Sequence, residues 1–158
     1  MREYETCSKG EAEEYLRYFE KRFGIPRDKL SDFVFLKRGK NIWVFTGDSR
    51  TAVSLERVET IGIKALTIGK KFLKPTTAFL QLVGCYAAKN VVYLKDEREL
   101  SVFMTGGIIR RKLDVEKGYV IVKYKSDVLG CGLYDGERLI SQIPKSRRID
   151  ERWLFREG

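Results

Sequence analysis

Pro144 is followed by Lys145-Ser146-Arg147-Arg148, three cations within four residues at the end of a series of short β runs. Arginine presents a planar fork of donors that fits phosphate oxygens, and lysine a compact mobile charge. A rim of this kind suits phosphate binding better than bond-making chemistry. Two earlier turns are also basic: Lys37-Arg38-Gly39-Lys40, with glycine at its tip, and Ile68-Gly69-Lys70-Lys71-Phe72-Leu73-Lys74. Residues equipped for covalent or metal chemistry are scarce. The chain has no histidine, and Cys7, Cys85 and Cys131 are far apart, with no C-x-x-C spacing. A structural zinc site, a Cys-His nucleophile pair and a Ser-His-Asp triad are all but excluded. The three cysteines read as structural, with Cys131 a small buried residue between two glycines. Asp127, Asp135 and Asp150 read as turn formers rather than catalytic acids.

The net charge is +9, unevenly spread. Residues 1–33 carry seven basic and eight acidic side chains, net −1; residues 34–74 carry nine and three, net +6; residues 75–158 carry fifteen and eleven, net +4. Such a field attracts polyanions, nucleic acid above all. The competing explanation is the Lys/Arg/Glu-rich surface of a thermophile, such as a thermophilic archaeon. The 158 residues allow one domain or two small ones, and 43% hydrophobic content supports a real core. No apolar run approaches the ~20 residues of a membrane span. The start, Met1-Arg2-Glu3-Tyr4-Glu5, lacks the apolar stretch of a signal peptide. The expected location is cytoplasmic.

These basic turns need elements to hold them. Ser8 and Glu11 form a capping box for a helix that runs to about Arg22 and is closed by Gly24 before Pro26. Tyr15, Phe19 and Phe23 recur every four residues along it, a core stripe. Residues 33–36 and 41–46 read as strands, and so do residues 56–65, with Gly62 close to another backbone. Pro75 is expected at the first position of a helix over residues 76–83, ended by Gly84. Residues 90–94 read as a strand and 96–103 as a helix with an acidic start. After the glycine exit at 104–107, a strand series begins at 108–113. Val120, Val122 and Tyr124 share a strand face, residues 127–130 turn the chain, and Asp135-Gly136 is a tight-turn signal. A last run, 138–143, stops at Pro144. Short strands at this spacing suggest a small barrel.

Three pieces occur in order: Phe103-Met104-Thr105-Gly106-Gly107-Ile108-Ile109-Arg110, Glu116-Lys117-Gly118-Tyr119-Val120-Ile121-Val122 and Val128-Leu129-Gly130-Cys131-Gly132-Leu133. Together they resemble a PUA domain, with its glycine turn, "KG-x-V-x-V" strand and "LG-x-G" strand. The tail from Asp135 to Leu139, then Ile143-Pro144-Lys145, more narrowly resembles the PUA-like region ending Sun-type RNA cytosine methyltransferases. Ser146 stands where that family's closing turn has glycine. The resemblance covers residues 62–148, and before that only the order of elements agrees. No glycine-rich cofactor loop follows a strand and no Pro-Cys nucleophile motif occurs. The resemblance therefore implies the RNA-binding part alone, similar to pre-PUA/PUA proteins of ribosome biogenesis.

The resemblance implies an α+β fold, with an N-terminal mixed α/β pre-PUA-like domain (1–84) packed on a C-terminal PUA-like small β-barrel (85–158). It implies structured RNA, rRNA or tRNA, as ligand, bound by Gly106, Gly107, Ile109, Arg110 and Arg111. Glycine permits close backbone approach to phosphate and consecutive arginines supply forked donors. Lys145, Arg147 and Arg148 form a second clamp, and Lys70, Lys71 and Lys74 extend the track onto the first domain. Trp43 and Trp153 are expected to serve the core or domain packing. No cofactor, metal or membrane is expected, and the candidate protein partner is an RNA-modifying enzyme or ribosome-assembly factor. The alternatives are an RNA-modifying enzyme subunit and a protein-interaction adaptor in ribosome assembly.

Overall fold

A computed structural model of the chain describes residues 4–46 and 62–149. The chain divides into two compact units, Met1–Ala88 and Lys89–Gly158.

In the first unit, helix α1 (Lys9–Phe23) begins where the sequence signals it. Ser8 Oγ accepts from the Glu11 amide and Glu11 Oε1 from the Ser8 amide, both at 3.1 Å. Gly24 ends the helix with φ of 66°, which glycine adopts without a Cβ penalty. Tyr15, Phe19 and Phe23 are fully buried, each worth roughly 1.5–3 kcal/mol in apolar transfer. They pack on a five-stranded antiparallel meander, β1 (Glu5–Thr6), β2 (Phe33–Arg38), β3 (Asn41–Thr46), β4 (Ile63–Ile68) and β5 (Leu73–Pro75), hydrogen-bonded in chain order. Rings close the layer: Tyr15 lies 5.7 Å from Phe35, and Phe79 of α2 (Thr77–Val83) lies 5.2 Å from Phe19 and 5.4 Å from Phe33. The opposite face of β2 carries a smaller cluster of Tyr4, Val34, Leu36 and Trp43.

Two boundaries differ from expectation. The strand expected over 56–65 is found at Ile63–Ile68, starting after Gly62, and residues 47–61, like Asp150 and Trp153, lie outside the described residues. Pro75 does not open α2. It is the buried last residue of β5, paired with Leu66, and Thr76 caps the helix by accepting from the Phe79 amide at 3.1 Å. An edge strand tolerates proline because no ladder donor is lost there.

The second unit contains β6 (Val91–Leu94), α3 (Glu97–Met104), β7 (Ile108–Arg110), β8 (Gly118–Tyr124), β9 (Asp127–Tyr134) and β10 (Arg138–Ser141). Its sheet runs β6-β8-β9-β10-β7, with β6 parallel to β8 and every other pair antiparallel. The expected small barrel takes the form of this half-barrel. Parallel pairing demands a long crossover, and α3 with β7 lies within it. Val92, Leu94, Phe103, Val120, Val122 and Leu139 form the core. Gly132 is required by packing, since a Cβ there would lie 2.7 Å from Leu139 Cδ1.

The turn expected at 127–130 lies instead at Lys125-Ser126, with Lys125 at φ of 54°, and Asp127–Tyr134 is a single strand. The strand expected over 108–113 ends at Arg110. Its ladder partner Arg138 is the first residue of β10, so pairing runs out.

Candidate nucleic-acid interface

The glycine turn is first a helix terminus. Gly106, at φ of 87°, donates to the Phe103 carbonyl at 3.1 Å, and Gly107 donates to the Val102 carbonyl at 2.8 Å. This pair of bonds is a Schellman cap. Gly107 also has no room for a side chain, since a Cβ would lie 2.8 Å from Val102 Cγ1. Both amides are thus consumed inside the protein. The two glycines shape this surface, and their N–H groups are not spare donors for phosphate.

The basic C-terminal rim is seated on that cap. Ser141 donates to the Gly107 carbonyl at 3.1 Å and its hydroxyl to the Phe103 carbonyl at 2.7 Å. Pro144 opens a 3₁₀ turn over Lys145–Arg147, and the Ile149 amide then reaches the Met104 carbonyl at 3.0 Å. Between these anchors Arg148 Nε donates to the Ile143 carbonyl at 3.0 Å. Its guanidinium lies over Gly106, where a Cβ would come within 2.5 Å of Nε and 2.7 Å of Cζ. The sequence-predicted glycine turn and second clamp are therefore one continuous surface, with Lys145, Arg147 and Arg148 exposed on it.

β7 is an edge strand of the same unit. Alternation places Ile108 and Arg110 outward and Ile109 inward. Ile109, expected at the RNA contact, is a core residue only 7% exposed, so its side chain sets the strand rather than the surface. Arg110 is exposed and, among the described residues, has no ion-pair partner. Arg111 differs sharply. Its Nε and Nη2 grip Glu99 at 2.7 and 2.9 Å, and Nη2 also reaches the Tyr93 carbonyl at 3.2 Å. The bidentate bond from Arg111 holds the buried Glu99 carboxyl below its ordinary range, against the opposing effect of burial and with help from the Lys95 amide.

Arg138, unremarked in the sequence, faces Arg110 across the β7–β10 ladder. Asp135 holds it at 2.8 Å, and the Asp135 carboxyl is lowered to about 2 by the Glu137 amide, then by the side chain and amide of Arg138. The visible signal was an Asp-Gly turn with arginine three residues on. Lys70 and Lys71 are exposed on the β4–β5 connection of the first unit, and Lys74 is exposed within β5, paired with Thr67. Among the described residues no group of His, Cys, Asp or Glu could hold a metal ion, and no helix is long and apolar enough to cross a membrane. Cys131 is buried, Cys85 is exposed, and burial pushes the Cys7 thiol up to about 11, with Glu11 adding to the shift.

Residues 89–149 match the family model described as the methyltransferase RsmF PUA domain. The second unit is similar to the PUA domain of that family. Residues 2–62 match a family of unknown function, DUF7122. The chain is also similar to two proteins described as ribosomal RNA small subunit methyltransferase F. The relative from Aeromonas salmonicida is 30% identical over 136 residues, and that from Aeromonas hydrophila is 30% identical over 138. Each alignment covers 85% of this chain, so the likeness extends beyond the PUA domain into the first unit. The chain spans about a quarter of the length of those relatives, 27% in each case. The second unit thus resembles the PUA-like region of Sun-type methyltransferases, as the glycine turn and the two strand motifs imply.

Proposed function

We propose that this chain is a non-catalytic RNA-binding protein for structured RNA, acting in rRNA modification and ribosome biogenesis. The observation that carries the proposal is the seating of the Lys145–Arg148 rim on the glycine cap of a PUA domain, next to the edge strand bearing Arg110. Arg110, Lys145, Arg147 and Arg148 contact phosphates. Gly106, Gly107 and Ile109 form the scaffold beneath them, and Arg111 fixes the start of the following loop through Glu99. Lys70, Lys71 and Lys74 supply further phosphate contacts from the first unit. The relatives' printed description as ribosomal RNA methyltransferases supports rRNA as the RNA class. A partner modification enzyme would supply the chemistry.

Phosphate contacts release counterions, so binding must weaken with salt. Fluorescence anisotropy with a structured rRNA fragment, titrated across salt, tests this. The triple variant Arg110→Ala, Lys145→Ala, Arg147→Ala should bind more weakly, with a salt slope shallower by roughly one per lost phosphate contact. An unchanged slope and affinity would remove this surface from the interface. Mass-spectrometric mapping of nucleosides after incubation with RNA and S-adenosylmethionine tests the enzyme alternative, which a modified base would establish.

A further inference from the structure

The first sheet holds two basic turns that the PUA surface does not use. β3 begins at Asn41, directly after Gly39-Lys40, and β4 ends at Ile68, directly before Gly69-Lys70-Lys71-Phe72. Because Asn41 pairs with Thr67 in an antiparallel ladder, both tips lie at the same end of the sheet. The Ile68 amide ties them together by donating to the Lys40 carbonyl at 2.7 Å. Within the second tip, the Gly69 amide donates to the Phe72 carbonyl at 2.9 Å. A Cβ on Gly69 would lie 2.8 Å from that same oxygen, so glycine lets the loop close. The closure fixes the Phe72 backbone and leaves its ring 73% exposed, the highest value among the exposed large apolar side chains described. Lys70 and Lys71 in the same turn and Lys40 in the adjoining one are exposed and make no ion pair among the described residues.

An exposed ring on a turn that also carries exposed lysines has a specific complement. Unpaired nucleotides offer a π face and a phosphate at each step, and aromatic stacking with a basic track is how single strands are held. A duplex keeps its bases stacked internally and presents shape and phosphates instead. A protein partner fits less well, because interface centres are depleted of lysine and exposed Lys70 and Lys71 directly precede Phe72. We propose that this end of the first sheet binds an unpaired RNA nucleotide, with Phe72 stacking on the base and Lys40, Lys70 and Lys71 meeting the flanking phosphates. This inference rests on the RNA-binding reading above and adds the class of RNA that the first unit recognises.

The test uses the full chain with two RNAs of equal length, a single strand carrying 2-aminopurine and a fully paired duplex. Phe72→Ala should bind the single strand about tenfold more weakly, ~1.4 kcal/mol, lose most of the stacking-dependent fluorescence change, and bind the duplex within twofold of wild type. Phe72→Trp should restore both signals. Unchanged single-strand binding by Phe72→Ala, equal loss on both RNAs, or full affinity in Phe72→Leu would each overturn the stacking site while leaving the PUA surface intact. Wild-type protein that bound neither RNA would sink the underlying RNA-binding reading, and this inference with it.

Discussion

Arg110 and Arg111 are adjacent and chemically identical, yet their side chains do opposite things. Arg110 stands in water on an edge strand, while Arg111 neutralises Glu99, a carboxylate only 7% exposed. Arg111→Ala leaves that carboxylate buried without its partner and should cost about 2 kcal/mol of stability. Arg110→Ala should change stability by less than ~0.5 kcal/mol while weakening RNA binding. Urea denaturation of the two variants, beside an RNA titration, separates the roles. The pair also predicts a pH signature. The folded pKa of Glu99 is depressed below its ordinary 4.5, so its contribution is fully present above that value and lost as pH falls through the folded pKa. The stability gap between wild type and Glu99→Gln should narrow as the pH is lowered below about 4.5. A constant gap would mean that the ion pair contributes nothing.

At the scale of elements, two helix ends decide how much of each unit is positioned. Ser8→Ala removes the acceptor at the start of α1 and should cost about 1 kcal/mol, read as a lower urea midpoint at unchanged slope. Gly106→Ala acts on two things at once. It places a side chain at φ of 87°, a cost of roughly 1–3 kcal/mol, and it collides with the Arg148 guanidinium. It should therefore lower the thermal midpoint and also displace the rim, weakening RNA binding. A variant that lost stability but bound RNA normally would show that the rim does not depend on the cap.

For the whole molecule, the relevant facts are a net charge of +9 and the absence of histidine. Lysine and arginine stay charged throughout the neutral range, and burial pushes the Cys7 thiol further above it, to about 11. RNA affinity at constant ionic strength should therefore vary by less than about twofold between pH 6 and pH 7.5. A larger change, measured by anisotropy in matched buffers, would require a titrating group that the proposed interface lacks.

Much of this protein could be read along the chain because the signals are local. The capping box at Ser8 and Glu11, the stripe of Tyr15, Phe19 and Phe23, the Asp135-Gly136 turn and the clustering of charge depend on residues a few positions apart. Elements misplaced from sequence were those with two acceptable local solutions. Pro75 could open a helix or end an edge strand, and residues 127–130 could turn or extend. Pairing with Leu66 and with β8 chose between them. The proposed interface was half legible for the same reason. Composition marks Lys145, Arg147 and Arg148 as basic, but only folding lays Arg148 over Gly106, gives Arg111 to Glu99 and brings the Lys40 and Phe72 turns to one end of a sheet. Those relations join residues distant in sequence. Sheet register and helix packing create them, and composition carries no record of either.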